Sequence, residues 1–451
     1  MDSIEHGFAK AEVSWASAMM LQVLRNWAWL ERSQWFSRKR LIEIQNRNLK
    51  RVLRHAYEKV PFYYRTYEAA GLSRFEEMDA IRITQLPIVT KDVFRAAPLQ
   101  ERTAVDVAAD SCMPLVTSGT SGQAVKVLQD PYSAAYREAL NLRLLWAYGV
   151  RPLDKICRVR LRVRPELAVA LAERHGVWGY LRRRFSRTLL SAGDIGDHVD
   201  FCSTWKPAVL FAAGSYCRAL MDMCERLGRR LSFKVVITTG EMSDRSTRNR
   251  ISEEFNAEVF DHYGIEEVGS IAWECPTHTG HHINSDSLVV ELLRNGEPVD
   301  GNEPGEVHVT SFHSQATPII RYSTGDVASQ SDEECPCGRG LPLFRNLEGR
   351  ILDFVLTIDG RYISPMAVML ALDDSCGISS FKVTQREDFT IEVLATTNEK
   401  KVERVIQSAQ QSCRQLFGKT PVSISIVDRI ETPSMRKFRQ VESQLTHRTS
   451  T

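Results

Sequence analysis

At 451 residues the chain is longer than one hydrophobic core usually fills, so two or three domains are expected. With 43% hydrophobic residues, 25% charged residues and a formal net charge of +2, it has the balance of an ordinary soluble globular protein. Nothing in that balance calls for nucleic acid as a partner, and no apolar run approaches the roughly 18 residues of a membrane span. Met1-Asp2-Ser3-Ile4-Glu5-His6 carries acids where a secretory signal needs a basic segment, so the expected compartment is the cytoplasm. Ten cysteines in a chain of this size do not make a disulfide scaffold; Cys157, Cys202, Cys217, Cys224 and Cys413 sit singly in apolar or helical context, where reduced, buried thiols are the rule.

Residues 12 to 58 are predicted as helix, with Trp15, Trp27, Trp29 and Trp35 packing on the body of a larger domain. Pro61 ends that run by disfavouring the α conformation at the residue before it. Thr117-Ser118-Gly119-Thr120-Ser121-Gly122 then lies between two apolar runs, Met113 to Val116 and Ala124 to Leu128, which predicts strand, flexible loop, strand. Backbone N–H groups that point inward together, helped by Ser and Thr hydroxyls, suit such a loop to a polyphosphate, although a plain surface turn has the same composition. It is not a Walker A loop, because no Gly-Lys-[Ser/Thr] closes it. A helix from Ala134 to Tyr148 places Tyr136 in its first turns. Cys157 to Arg164 alternates strictly and predicts a strand with one arginine face. With Arg182, Arg183, Arg184 and Arg187 that face suits phosphates or an acidic partner, or is simply solvated.

From Trp205 strands and helices alternate: Ala208 to Phe211, a helix to Leu227, Lys234 to Thr238, a helix through Arg250, then Glu258 to Phe260. This is the pattern of a mostly parallel α/β sheet, whose ligands bind at the carboxyl ends of the strands. Thr238-Thr239-Gly240-Glu241 and Asp261-His262-Tyr263-Gly264-Ile265-Glu266-Glu267 occupy such ends. Leu288 to Ser329, with turns at Asn295-Gly296 and Pro304-Gly305, suggests an antiparallel unit. Beyond Gly349-Arg350 the predicted order is strand Ile351 to Thr357, helix after Pro365, strands Phe381 to Gln385 and Thr390 to Ala395, helix 399 to 417 and strand Val422 to Val427. The expected class is therefore α/β: a large unit at 1–349 with parallel and mixed sheets and an antiparallel part, then a small α+β unit at 350–451.

Five segments now stand in one order: Thr117 to Gly122, Tyr263-Gly264-Ile265-Glu266-Glu267, Arg321-Tyr322-Ser323-Thr324-Gly325-Asp326, Gly349-Arg350-Ile351-Leu352-Asp353, and Thr432-Pro433-Ser434-Met435-Arg436-Lys437-Phe438-Arg439-Gln440-Val441. Together they resemble the adenylate-forming enzyme superfamily, within it the phenylacetate–CoA ligase branch that includes capsular-polysaccharide-biosynthesis-type proteins, from about residue 40 to 445. The resemblance implies ATP-dependent activation of a carboxylic acid as acyl-adenylate, then acyl transfer to coenzyme A, an amine or a carrier-protein thiol. It implies that Thr117, Ser118, Gly119 and Thr120 hold the pyrophosphate end of ATP and that Glu267 holds magnesium. Tyr263 and Gly264 would face adenine, with Gly240 and Glu241 at its edge and Asp261 nearby. Asp326 would accept the ribose hydroxyls, Arg350 would reach ribose or phosphate, Asp353 would mark the hinge of a mobile C-terminal unit, and Lys437 would be the catalytic cation. Two positions depart from the pattern: Glu266 stands where Thr or Ser is usual, and Arg436 where the glycine before the lysine is usual.

A second constellation is Cys275-Pro276-Thr277-His278-Thr279-Gly280-His281-His282 with Cys335-Pro336-Cys337-Gly338. Thiolates and imidazoles are the ligands zinc prefers, and Cys₃His is a common closed structural site. Cys275, Cys335 and Cys337 supply three ligands. His282, which matches the histidine of comparable sets in the branch, is taken as the fourth, with His278, at local Cys-x-x-His spacing, as its alternative. Two readings from other classes stay open: a catalytically silent nucleotide-binding module, and a zinc-and-arginine nucleic-acid binder, which the near-neutral charge disfavours. A homodimer is also left open.

Overall fold

The computed structural model describes residues 19–72, 83–116, 125–160, 186–190, 194–300, 302–331, 333–372, 377–397, 399–430 and 438–445. Strands β1 (Met113–Val116) and β2 (Lys126–Gln129) pair antiparallel, Val116 opposite Lys126. The segment 117–124 that joins them, and the second half of the predicted arginine strand, lie outside the described residues.

Twelve strands form one mixed sheet. In chain order they are β3 (Ile156–Arg160), β4 (Ser186–Leu190), β5 (Val209–Ala212), β6 (Val235–Thr239), β7 (Glu258–Ile265), β8 (Gly269–Glu274), β9 (His281–Ile283), β10 (Leu288–Arg294), β11 (Glu297–Pro298), β12 (Gly305–Ser311), β13 (Tyr322–Ser331) and β14 (Leu343–Arg350). Across the sheet the order is β11-β10-β12-β13-β14-β9-β8-β7-β6-β5-β3-β4. The half from β7 to β4 is parallel, and everything from β7 to β11 is antiparallel. Val209-Leu210-Phe211-Ala212 and Val235-Val236-Ile237 are continuous apolar runs because both faces of the parallel half are covered. Leu210, Val236 and Val259 pack on the crossover helices Gly214–Arg226 and Arg245–Phe255. Phe211, Ile237 and Phe260 pack on Leu144, Leu145 and Tyr148 at the end of the helix Pro131–Ala147.

The expected continuous helix over 12–58 is two helices, 19–33 and Arg38–Lys59. The interruption is filled from far along the chain: the Gly340 N–H donates to the Gln34 carbonyl at 2.9 Å, and Arg339 Nε donates to Gln34 Oε1 at 2.8 Å. Gly340 allows this approach, since a Cβ there would run into the Phe36 carbonyl oxygen. As expected, Pro61 ends the second of these helices, which stops at Lys59 with Val60 extended at φ −119° and ψ 107°; the same proline then opens the helix Pro61–Ala69 at its first position, where a missing N–H costs nothing. The fully buried Arg143–Asp286 pair (2.6 Å) anchors the first helix, because Ser33 also donates to Asp286, at 2.5 Å.

After β14 the chain turns through a 3₁₀ segment, Ile351–Asp353, where a strand was expected. Ile351 and Leu352 are exposed, so no second sheet gains from extending them. Then come β15 (Val355–Leu356), β16 (Tyr362–Ile363), β17 (Ser380–Gln385), β18 (Ile391–Thr396), β19 (Val422–Ile426) and β20 (Val441–Ser443). Four of them form a sheet ordered β19-β18-β17-β20, its core closed by the helices Pro365–Ala371 and Val402–Phe417. No helix among the described residues is long and apolar enough to cross a membrane.

Candidate nucleotide cleft and metal knuckle

Two tyrosine–carboxylate bonds cross between β13 and the end of β7. Tyr322 on β13 donates to Glu267 Oε1 at 2.9 Å, and Tyr263 on β7 donates to Asp326 Oδ2, back on β13, at 2.8 Å. Glu267 and Asp326, 59 positions apart in sequence, are thereby each tied between the end of β7 and β13. Burial, then the Glu267 charge, pushes the Tyr322 phenol up, and burial followed by Asp326 does the same to Tyr263. Both phenols are therefore protonated and act as donors. Arg350 Nε lies 3.4 Å from Asp326 Oδ1, as the β13–β14 register of Asp326 opposite Arg350 requires. Gly325 has φ +75° in this strand and Gly240 has φ +81° at the end of β6, conformations that side chains disfavour. At Gly264 a Cβ would run into the Gly269 carbonyl oxygen.

Glu241 is half-buried and committed on both oxygens. Oε1 accepts the Ser215 N–H at 2.5 Å and Oε2 accepts the Phe438 N–H at 3.2 Å. Asp261 is committed likewise, to Thr238 Oγ1 at 2.7 Å and His281 Nε2 at 3.2 Å, so it orders the strand ends. Burial works to raise its carboxyl, but His281, Arg248 and Thr238 hold it net below the ordinary range. Burial holds His262 down to about 4, a neutral imidazole with Nδ1 3.0 Å from Thr239 Oγ1. Thr117, Ser118, Gly119, Thr120 and Lys437 lie outside the described residues.

One ligand atom from each of Cys275, His282, Cys335 and Cys337 lies within 4.8 Å of all the others. β8 delivers Cys275 just past its end, β9 delivers His282, and the turn before β14 delivers the two remaining cysteines. Cys275 Sγ is 3.5 Å from Cys335 Sγ and His282 Nε2 is 3.2 Å from Cys337 Sγ. His282 Nδ1 faces the Leu341 carbonyl at 3.3 Å, so the proton sits there and leaves Nε2 as the lone-pair nitrogen. Burial holds the ring down to about 4 and therefore neutral. His278 is not in the cluster. Its φ of +56° turns the ring onto Phe260, stacked at 5.2 Å, with Nδ1 2.9 Å from Glu274.

Sequence reasoning gave no role to Asp244 or Gln440. Gln440 Nε2 donates to Asp244 Oδ2 at 2.5 Å, while Asp244 Oδ1 caps the helix Arg245–Phe255 through the Thr247 N–H at 2.6 Å. The Asp-x-x-Thr spacing marks Asp244 as a cap, but nothing local points from it to Gln440. Arg439 pairs with Asp353.

No family model matches the chain. It is 28% identical over 307 residues to the phenylacetate-coenzyme A ligase of Escherichia coli, an alignment spanning 63% of this chain and 66% of that one. To the phenylacetate-coenzyme A ligase of Thermus thermophilus it is 24% identical over 387 residues, spanning 79% and 80%. Among solved structures it matches 2-hydroxyisobutyryl-CoA ligase in the postadenylation state with TM-score 0.77 and 20% identity, over 92% of each chain, which shows the shared fold.

Proposed function

We propose that this chain, a member of the adenylate-forming superfamily in its phenylacetate–CoA ligase-like branch, joins a carboxylic acid to coenzyme A through an acyl-adenylate made from ATP. The observation that supports the reading is the crossed pair of tyrosine–carboxylate bonds, which ties Glu267 and Asp326 to each other's strands at the carboxyl end of β7, where ligands of parallel sheets bind. An ionised carboxylate has about four lone-pair sites, so each acid can keep its tyrosine and still take a ligand. On this reading Glu267 holds magnesium, which screens the phosphate charge. Asp326 takes the ribose hydroxyls with Arg350 beside it, Tyr263 and Gly264 face the adenine, and Gly240 and the Glu241 backbone line its edge. Thr117, Ser118, Gly119 and Thr120 hold the departing pyrophosphate.

The acid's carboxylate oxygen attacks the α-phosphorus, the bond to the β-phosphate breaks, and pyrophosphate leaves with the electron pair. Lys437 neutralises the charge that builds on the phosphate and attacking oxygen. The thiol of coenzyme A then displaces AMP from the acyl carbon. The unit beyond Arg350 is read as mobile about Asp353, bringing Lys437 to the cleft for the first step only. Cys275, His282, Cys335 and Cys337 are read as a closed structural zinc site, since three thiols and a neutral imidazole fit that ion's preferences. A panel of carboxylic acids, scored by ATP-dependent pyrophosphate release and then by thioester formation with coenzyme A, tests the function. Release with no acid on the panel rejects it, and release that yields amides but no thioester moves the acceptor to an amine.

A further inference from the structure

Two acids, Asp244 buried and Glu241 half-buried, stand where the crossover helices of the parallel half begin, and each divides its oxygens between the large sheet's body and the chain just after Lys437. The helix Gly214–Arg226 has Ala213 at its N-cap, with no side chain able to accept a hydrogen bond. Glu241, from the end of β6, supplies the missing acceptor to the Ser215 N–H at 2.5 Å and gives its other oxygen to the Phe438 N–H at 3.2 Å. Asp244 does the same one helix along, capping Thr247 at 2.6 Å and accepting from Gln440 Nε2 at 2.5 Å. The contact is reinforced around them. The Arg218 guanidinium lies 5.2 Å over the Phe438 ring and donates to Thr247 Oγ1 at 2.6 Å, and Met242 packs into the core of the C-terminal unit. At Gly349 a Cβ would come within 2.8 Å of Met242 Sδ and 2.9 Å of Pro365, so the two units meet without slack.

Both acids sit at helix N-termini, whose partial positive charge favours an anion. An amide cannot replace Glu241, because it offers one acceptor oxygen and sets an NH₂ donor against the second backbone N–H.

We propose that Glu241 is a positioning residue for acyl-adenylate formation: its carboxylate clasps the backbone amide that adjoins Lys437 onto the start of the helix Gly214–Arg226, fixing where the catalytic lysine is presented. The proposal rests on the reading of Lys437 as the cation of that half-reaction. The clasp belongs to one arrangement of the two units, so it serves the first half-reaction and is released for the second.

The test uses the full chain, wild type and Glu241→Gln. Amide exchange over residues 438–445 is followed by mass spectrometry without substrates. Pyrophosphate release and conversion of a supplied acyl-adenylate with coenzyme A are measured separately. Glu241→Gln is expected to speed exchange at Phe438 at least about tenfold and to lower kcat for pyrophosphate release about tenfold, the scale of one lost bond to a charged acceptor. Thioester formation from the supplied adenylate, which also registers any disturbance of the adenine edge that the Glu241 backbone lines, should fall at least about fivefold less than pyrophosphate release. Unaltered exchange in an active wild-type background overturns the clasp, as does an equal fall in both half-reactions. A wild-type chain that releases no pyrophosphate with any acid instead removes the adenylation reading, and this role with it. Should Glu241→Gln melt below the assay temperature, Gln440→Leu carries the test, with shifts in the same directions of about threefold; no shift in either readout overturns the proposal.

Discussion

The Cys/His knuckle and the nucleotide cleft are built on neighbouring strands, with β14 separating β9 from β13, yet their polar groups are disposed in opposite ways. In the knuckle three thiols and an imidazole converge on one another, and their outer contacts are spoken for: His282 by the Leu341 carbonyl, Cys335 by Thr279 Oγ1 at 3.2 Å, Cys275 by the Thr277 N–H at 3.4 Å. In the cleft each of two carboxylates takes a single tyrosine hydroxyl, with Arg350 alongside one of them. The first arrangement turns its ligand atoms inward onto one point. The second holds charge in place while leaving acceptor capacity. On the proposed function, the difference separates two jobs on one sheet, cross-linking the fold and meeting a polar ligand that comes and goes.

Breaking the knuckle should have the largest effect, and it should fall on folding. The purified chain is expected to carry close to one zinc by elemental analysis. Cys335→Ser with Cys337→Ser should lose it and lower Tm by about 10 °C or more, because zinc–ligand free energy is also folding free energy. Metal-free protein with an undiminished Tm would show the cluster to be four ordinary buried side chains. On the cleft side the largest effect belongs to Lys437→Ala. It should cut pyrophosphate release by about 10²–10³, the usual cost of losing one charge-stabilising donor in the transition state. Conversion of a supplied acyl-adenylate should stay near the wild-type rate and Tm should not move. Equal damage to both half-reactions would end the alternating-domain account.

How much of each region the sequence discloses follows from how local its chemistry is. Glu267 and Asp326 are visible because they sit in short runs of turn and strand-end residues whose types the chemistry restricts. Cys335-Pro336-Cys337 declares itself for the same reason. The choice of His282 over His278 came from the resemblance and agrees with the cluster, but local spacing could not make it: it depends on a positive φ at His278 and on the register that sets His282 opposite Leu343 on β14. The break between residues 19–33 and Arg38–Lys59 was invisible because Arg339 and Gly340, which occupy it, lie some three hundred residues downstream. The Arg143–Asp286 pair and the Glu241–Phe438 and Asp244–Gln440 bonds join residues with no periodic or motif relation. Neither propensity nor spacing reports such contacts.

The cleft can be dissected more finely. Asp326→Ala removes the acceptor shared by Tyr263 and Arg350 and should raise the Kd for ATP about ten- to a hundredfold, as expected for hydrogen bonds to a charged group. Tm should change little, since Asp326 sits at a cleft and not in the core. Calorimetry showing unchanged ATP affinity would remove Asp326 from the nucleotide site.

The smallest and most discriminating effect is expected from Tyr263→Phe. Tyr263 is assigned two tasks: its ring faces adenine, and its hydroxyl steadies Asp326 at 2.8 Å. Phenylalanine keeps the first and loses the second. The ring should hold its place, because it packs edge-on against Phe344 with centroids 6.0 Å apart, a contact that does not involve the hydroxyl. Asp326 would keep Arg350 at 3.4 Å and lose its tyrosine donor, for which the ribose hydroxyls can supply a replacement once ATP is bound. The net loss is then that of a single exchangeable hydrogen bond, about 0.5–1.5 kcal/mol, or a rise in Kd for ATP of up to about tenfold. Tyr263→Ala, which removes the ring as well, should weaken ATP distinctly further. Equal affinities for the Phe and Ala variants would mean that the ring does not meet the base. A Phe variant as damaged as Asp326→Ala would place the tyrosine hydroxyl, and not the carboxylate, at the centre of ribose recognition.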